Sequence, residues 1–200
     1  MARPAGLEAL ENLKQLASIL PPQSFKQNPI QTCEAMTQSD DFAYCPFTYG
    51  YSNYSRPGYA RKLLEFGQLV SVAPGIIPST MLGGTGLSIS ATCGHPELAL
   101  EYVKFVANAK TQRGIYFESG GQPGHRTAWL DEMVNAESSN YFLNTLPVLD
   151  AAFVRPRYAG YLSFQDRAGE PLHAFLTEGG DESTLLDELN THYRESSPAL

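Results

Sequence analysis

The sequence predicts a globular, helix-rich α/β chain, and three observations carry that reading. Apolar residues recur at helical spacing in several segments, each bounded by capping or breaking residues. Between them lie short alternating or continuous apolar runs that read as strands. Hydrophobic residues make up 42% of the 200 residues and charged residues 18%. That balance is far from a disordered chain, and the length suffices to bury a core without covalent staples.

The elements follow in order. Leu7, Leu10, Leu13, Leu16, Ala17 and Leu20 recur at helical spacing, and Pro21-Pro22 stops that helix. Asn28-Pro29 places an N-cap before a proline at the first helical position, opening a short helix through Ile30, Cys33 and Met36. Phe42-Ala43-Tyr44-Cys45 reads as a buried strand ending at Pro46. Residues 47–60 hold aromatics, Ser, Asn and Gly without a period, which predicts a loop or broken helix. Residues 68–72 alternate like a strand, and Pro74, Gly75 and Pro78 mark a crossing segment. Leu87-Ser88-Ile89-Ser90 alternates again and is entered through Gly83-Gly84-Thr85-Gly86.

His95-Pro96-Glu97 opens a helix with Leu98, Tyr102, Phe105 and Val106 on one face. A second helix over 111–118 ends in the turn chemistry of Gly120-Gly121-Gln122-Pro123-Gly124. Trp129, Met133 and Val134 mark a short helix, and residues 141–151 another, which Pro147 is expected to kink or begin. Phe153 and Val154 read as a last short strand. Residues 161–176 read as a helix interrupted near Gly169-Glu170-Pro171. Asp181 caps the last helix, with Leu185, Leu186, Leu189 and Tyr193 as its buried stripe, and the tail from Ser196 is expected to fray.

Composition narrows the function classes. Fourteen Lys and Arg against 21 Asp and Glu give a net charge of −7. This disfavours nucleic-acid binding and docking on an anionic membrane. No apolar run is long enough to span a bilayer, and Glu8 and Glu11 stand where the apolar region of a signal peptide would lie, so none is expected in this chain. The cysteines are Cys33, Cys45 and Cys93; an odd count allows at most one disulfide and leaves the pairing open. The signatures GxSxG, GxxxxGK[ST], HExxH and GxGxxG are missing. Cys93 and His95 lack a second ligand pair at metal-binding spacing, so neither a metal site nor a cofactor is expected. His125 beside Arg126 reads either as a base or anion clamp, or as a turn residue held by hydrogen bonds.

The most informative stretch is Tyr44-Cys45-Pro46-Phe47-Thr48-Tyr49-Gly50-Tyr51-Ser52-Asn53-Tyr54-Ser55. Five of the 11 tyrosines (Tyr44, Tyr49, Tyr51, Tyr54, Tyr59) fall close together. Exposed rings offer flat faces for stacking on sugar rings or cationic headgroups, and the interspersed polar residues add fixing points. The other reading is a core patch that seals a loop. Gly83-Gly84-Thr85-Gly86 leaves backbone N–H groups unshielded, which suits either close approach of a polar ligand or a tight turn.

In order and spacing, these segments resemble the C-terminal half of an extracellular solute-binding protein of the family that includes maltose-binding protein, the capture subunits of ABC importers. The resemblance rests on the leucine-rich first helix, Cys45-Pro46-Phe47-Thr48-Tyr49-Gly50, and Met81-Leu82-Gly83-Gly84-Thr85-Gly86-Leu87-Ser88-Ile89-Ser90. It extends to the helix opened by His95-Pro96-Glu97, to Gln112 with Gly121-Gln122-Pro123, and to the helical tail. It implies a periplasmic-binding-protein type II-like fold of two α/β lobes that close on a solute. On that template residues 1–76 and 129–200 belong to the second lobe, and 77–128 cross to complete the first. Phe47, Tyr49 and Tyr51 then face Gly84, Thr85 and Arg126, with Tyr158 and Tyr161 near a further cleft loop. The implied activity is non-catalytic capture of a sugar, polyol or similar polar solute. The implied partner is an ABC transporter permease, and the implied location is periplasmic or at the cell surface. Against that template most of the first lobe is missing, so strand edges and apolar faces are left without their usual partners; a homodimer is one way of covering them. Two other function classes are weighed. One is an enzyme using His125 or His173 with Asp131 or Asp166, for which no nucleophile–base–orienter spacing is found. The other is a protein-interaction module gripping through the tyrosine loop.

Overall fold

The computed structural model describes residues 3–70, 74–75 and 78–196. Its α-helices, in chain order, are α1 (Arg3–Ile19), α2 (Pro29–Gln38), α3 (Pro96–Ala107), α4 (Ala109–Arg113), α5 (Ile115–Glu118), α6 (Arg126–Trp129), α7 (Glu132–Ala136), α8 (Tyr141–Ala151), α9 (Tyr161–Glu178) and α10 (Glu182–Ser196). Short 3₁₀ turns cover Pro22–Phe25 and Ser52–Ser55. The chain divides into two compact units, one of Met1–Gln27 with Arg155–Leu200 and one of Asn28–Val154.

In the first unit α1, α9 and α10 pack around Leu10, Phe175, Leu185 and Leu186, with Leu7, Leu172, Leu176 and Leu189 against them. Those positions follow the helical period of the sequence, so each helix turns one apolar stripe inward. The Asp181 carboxylate accepts from the Thr184 N–H and hydroxyl, both at 2.7 Å, and caps α10. These bonds hold the Asp181 carboxyl below its usual range. Tyr193 stays largely exposed rather than completing the buried stripe. The expected interruption of α9 at Gly169-Glu170-Pro171 does not occur: the helix runs through Pro171. Leu172, Phe175 and Leu176 lie just beyond the proline and pack on the core, and this packing overrides the local preference to break. The tail past Ser196 lies outside the described residues.

The second unit is built around Phe117, Trp129, Val134, Tyr141 and Phe142, with Phe66, Leu146 and Leu149 packed on them. Its rings meet edge to face: Trp129 on Phe142, Tyr141 on Phe142 and Phe66 on Tyr141, each with centroids 5.0 Å apart. The buried Trp129 N–H donates to the Pro123 carbonyl at 2.7 Å. Asn135 ties α7 to α8 by donating to the Trp129 carbonyl at 2.8 Å and accepting from the Leu143 N–H at 3.0 Å. The expected helix over 111–118 is split into α4 and α5 at Gly114, and the one around Trp129 into α6 and α7. Pro147 neither begins α8 nor ends it; it sits inside the helix.

The sheet expected of an α/β fold is the main correction. Among the described residues, pairing is limited to one parallel bridge between Met81 and Phe153, with Leu82 N–H to Phe153 O at 2.9 Å and Phe153 N–H to Thr80 O at 2.8 Å. Residues 42–45, 68–70 and 87–90 are irregular, and the rest of the 68–72 segment lies outside the described residues. Period-two alternation says which side chains share a face, but a strand also needs a neighbour to pair its N–H and C=O groups. These segments have none, so what stands is a helix-rich chain. α3 forms where His95-Pro96-Glu97 predicts it, with Glu97 in its first turn and Lys104 in its last, complementing the helix dipole. Its apolar residues Leu98, Leu100, Tyr102 and Phe105 are all exposed.

Each core supports its own unit, and truncation tests this. Phe142, at 0% exposure, should lose ~3–5 kcal/mol as Phe142→Ala, and Leu186, at 1%, ~2–5 kcal/mol as Leu186→Ala. Urea unfolding followed by circular dichroism measures both; a loss under 1 kcal/mol at either position would remove that residue from its core.

Candidate functional site

The tyrosine loop belongs to the second unit and is bolted to the turn at 120–124. Gln122 makes the central joint: its Oε1 accepts from the Ser52 N–H at 2.8 Å, and its Nε2 donates to the Gly50 carbonyl and the Tyr141 hydroxyl, each at 3.4 Å. Asn53 donates to the Gly120 carbonyl at 3.0 Å. Arg56 donates to the Phe117 carbonyl at 2.7 Å, and its guanidinium lies 3.7 Å from the centre of the Phe117 ring. Burial lowers the Arg56 pKa. Gln112 holds the other side of the turn by accepting from the Gly124 N–H at 2.7 Å.

Behind the loop, α2 supplies the buttress. Its N-terminus is a capping box, with Asn28 accepting from the Gln31 N–H and Gln31 accepting from the Asn28 N–H, both at 2.9 Å. The Tyr54 hydroxyl donates to Glu34 at 2.8 Å, and its ring meets Tyr59 edge-on at 5.3 Å. Burial, then the bond to Glu34, raises the Tyr54 pKa. Burial likewise raises that of Tyr141, whose hydroxyl leaves no room for a Cβ at Gly50. Cys33 on α2 is buried, and burial first, then Cys45 and Glu34, pushes its thiol up to about 11.

On this locked loop the rings of Phe47, Tyr49 and Tyr51 remain exposed, at 68%, 44% and 39%. The Cδ1–Cε1 edge of the Tyr49 ring lies so close to Gly83 that a Cβ there would come within 2.8 Å of it. The tyrosine loop and the glycine segment therefore meet at Tyr49 and Gly83. Gly84 has open space beside it, and Thr85 is exposed. Tyr44 is exposed too, whereas Tyr54 is core. The stretch thus divides between the two readings the sequence left open.

The remaining candidates are placed differently. Arg126 forms a two-pronged ion pair with Asp150, at 2.7 and 2.6 Å, which lowers the Asp150 pKa and raises that of Arg126. Its guanidinium fork is thus already engaged by a carboxylate. His125 accepts from the Thr127 N–H at 3.2 Å and caps α6, the turn role weighed from sequence. Asp131 caps α7, and His173 meets the Phe25 carbonyl at 3.1 Å. Tyr158 and Tyr161 belong to the other unit, where they stack edge-on at 5.7 Å, and Tyr193 lies 6.5 Å from Tyr158. Among the described residues no group of three or more His, Cys, Asp and Glu is placed to hold a metal ion, and no helix is long and apolar enough to cross a membrane. A depression of about 790 Å³ lies elsewhere on the second unit, lined by Phe105, Arg113, Ile115, Asp131 and Met133 among others.

Sequence reasoning missed the roles of Gln122, Arg56 and Tyr141. Gln122 stood in a recognised turn, but no local pattern tells that its side chain reaches a loop 70 residues earlier. In comparisons with known proteins, no family model matches this chain and no characterised protein matches it.

Two outcomes follow from the buttress. Cys33 should be the last of the three thiols to react with iodoacetamide at pH 8, labelling fully only on unfolding; peptide mass mapping of equal rates at Cys33 and Cys45 would refute its burial. Gly50→Ala should destabilise by ~1–3 kcal/mol in urea unfolding, because Tyr141 cannot retreat within its packed core.

Proposed function

We propose that this chain is a non-catalytic capture module for a small polar solute, such as a sugar or polyol, with the tyrosine loop as one wall of the grip. One observation supports this above the others: three exposed aromatic rings sit on a loop anchored by side-chain hydrogen bonds, with Tyr49 against a glycine segment that leaves its backbone accessible. Ring faces stack on the apolar faces of sugars, phenolic hydroxyls bond to polar edges, and open backbone N–H groups complete the coordination. The ordered motifs from Cys45 to Pro123 extend the proposal to the C-terminal lobe of a periplasmic-binding-protein type II-like receptor. Delivery to an ABC transporter permease, at a periplasmic or cell-surface location, comes with it. A homodimer that covers apolar surface is part of the same proposal.

A second reading, a protein-interaction module, draws support from α3, whose Leu98 and Tyr102 are 66% and 63% exposed. The two readings separate on ligand size. Thermal-shift measurements with D-maltose, D-sorbitol, myo-inositol, amino acids and glycine betaine should yield one class that raises the melting point, by roughly 5–10 °C at a hundred times Kd, without product formation. Tyr49→Ala and Tyr51→Ala should each abolish the rise and leave the fold intact. A flat response across the panel would sink the solute reading and favour the interaction module.

A further inference from the structure

We propose that Gln122 is the positioning residue of the tyrosine loop, fixing Tyr49 and Tyr51 in place for ligand while touching none itself. Its consequence for binding rests on the solute reading above; its consequence for the loop does not. A glutamine side chain carries an acceptor and two donors on one planar group. Here all three functions are used, on Ser52 N–H, Gly50 C=O and Tyr141 O–H. The first two partners flank Tyr51 in the chain, so one carboxamide fixes the backbone on both sides of that ring. The third joins the loop to the aromatic core through Tyr141.

The joint has little redundancy. Ser52 is 1% exposed, and its hydroxyl has no hydrogen-bond partner; the same holds for the buried Asn53 Oδ1 and Arg56 Nε. Removing the Gln122 carboxamide would take away the acceptor that the Ser52 amide uses here, and local opening of the loop becomes cheaper. Asn53 and Arg56 hold the following turn, not the ring-bearing residues before it. Glutamate at this position would accept from Ser52 but cannot donate to the Gly50 carbonyl.

The test compares wild type, Gln122→Ala and Gln122→Glu on two local readouts and one global one. In Gln122→Ala the Ser52 amide should exchange with deuterium, and chymotrypsin should cut after Tyr49 or Tyr51, about tenfold faster than in wild type. The melting point should move by only a few degrees. Gln122→Glu should fall between the two, and it carries the test if the alanine variant does not fold. Unchanged cleavage and exchange in either folded variant would overturn the proposal. Binding of D-maltose, D-sorbitol or glycine betaine is then measured by calorimetry. If one binds wild type, Gln122→Ala should raise its Kd about tenfold through a less favourable entropy, since the loop must now be ordered on binding. Equal Kd values despite a loosened loop would overturn the positioning role in binding. If no member of the full thermal-shift panel binds wild type while the loop loosens as described, the solute reading falls and the loop's dependence on Gln122 stands.

Discussion

The second unit depends on the double membership of Tyr141. Its ring is part of the aromatic core with Phe66, Trp129 and Phe142, and its hydroxyl meets Gln122. The same hydroxyl crowds Gly50 so closely that only hydrogen fits there. A tyrosine buried on all sides needs a partner for its polar tip, and here that partner anchors the surface loop. Core packing and loop position are therefore one constraint. The rings of α8 cannot shift without carrying the Gln122 joint along, and the joint cannot open without exposing a buried phenol.

The polar accounting at this joint explains how a loop without regular structure is held in place. Residues 47–56 contribute no ladder of backbone bonds: beyond the 3₁₀ turn Ser52–Ser55, the Tyr54 carbonyl accepts from the Leu64 N–H at 2.9 Å and the Arg56 carbonyl from the Tyr59 N–H at 3.2 Å. Side chains do the work of a ladder: Gln122, Asn53 and Arg56 cross between the loop and the turn, and Ser55 and Ser139 close it from behind, at 2.8 Å to the Leu64 carbonyl and 3.0 Å to the Ser55 carbonyl. Such bonds are worth about 1 kcal/mol each when both partners are retained, but more is lost when a buried one is orphaned. Their geometry is specific because each links a planar group to a fixed backbone atom. Stiffness in this loop thus comes from long-range contacts.

That difference in range governs what could be read from the chain. Helix starts were legible because their signals are local: Asn28 and Asp181 accept from N–H groups of their own first turns, and Pro96, at the first position of α3, has no N–H to satisfy. Alternation in residues 87–90 was read as a strand and that reading failed: a strand is a relation between two segments, and the second is missing among the described residues. Proline was over-read as a break at 171, where packing decides. At the site, the cluster of rings was legible from composition, whereas the contact of Tyr49 with Gly83 joins positions too far apart in the chain for any local pattern to show. Arg126 looked free because its neighbours in sequence are neutral; Asp150, which engages it, lies 24 positions on. The joint at Gln122 was illegible for the same reason.

Exposing Phe47, Tyr49 and Tyr51 together has a free-energy cost, since each ring keeps apolar area in water that a core position would bury. A flexible loop would relieve that cost by folding its rings onto the nearest apolar surface, and the exposed faces would be lost. Tyr49 shows the partial form of this relief, resting on Gly83 where no side chain keeps it off. The anchoring at Gln122, Asn53 and Arg56 prevents the rest of the collapse. On the solute-binding reading, that cost is returned when a ligand covers the rings, and little ordering entropy is then charged against affinity. The glycine at 83 and the glutamine at 122 serve the same end: one leaves room for the edge of a ring, and the other keeps the chain beneath the rings from following it.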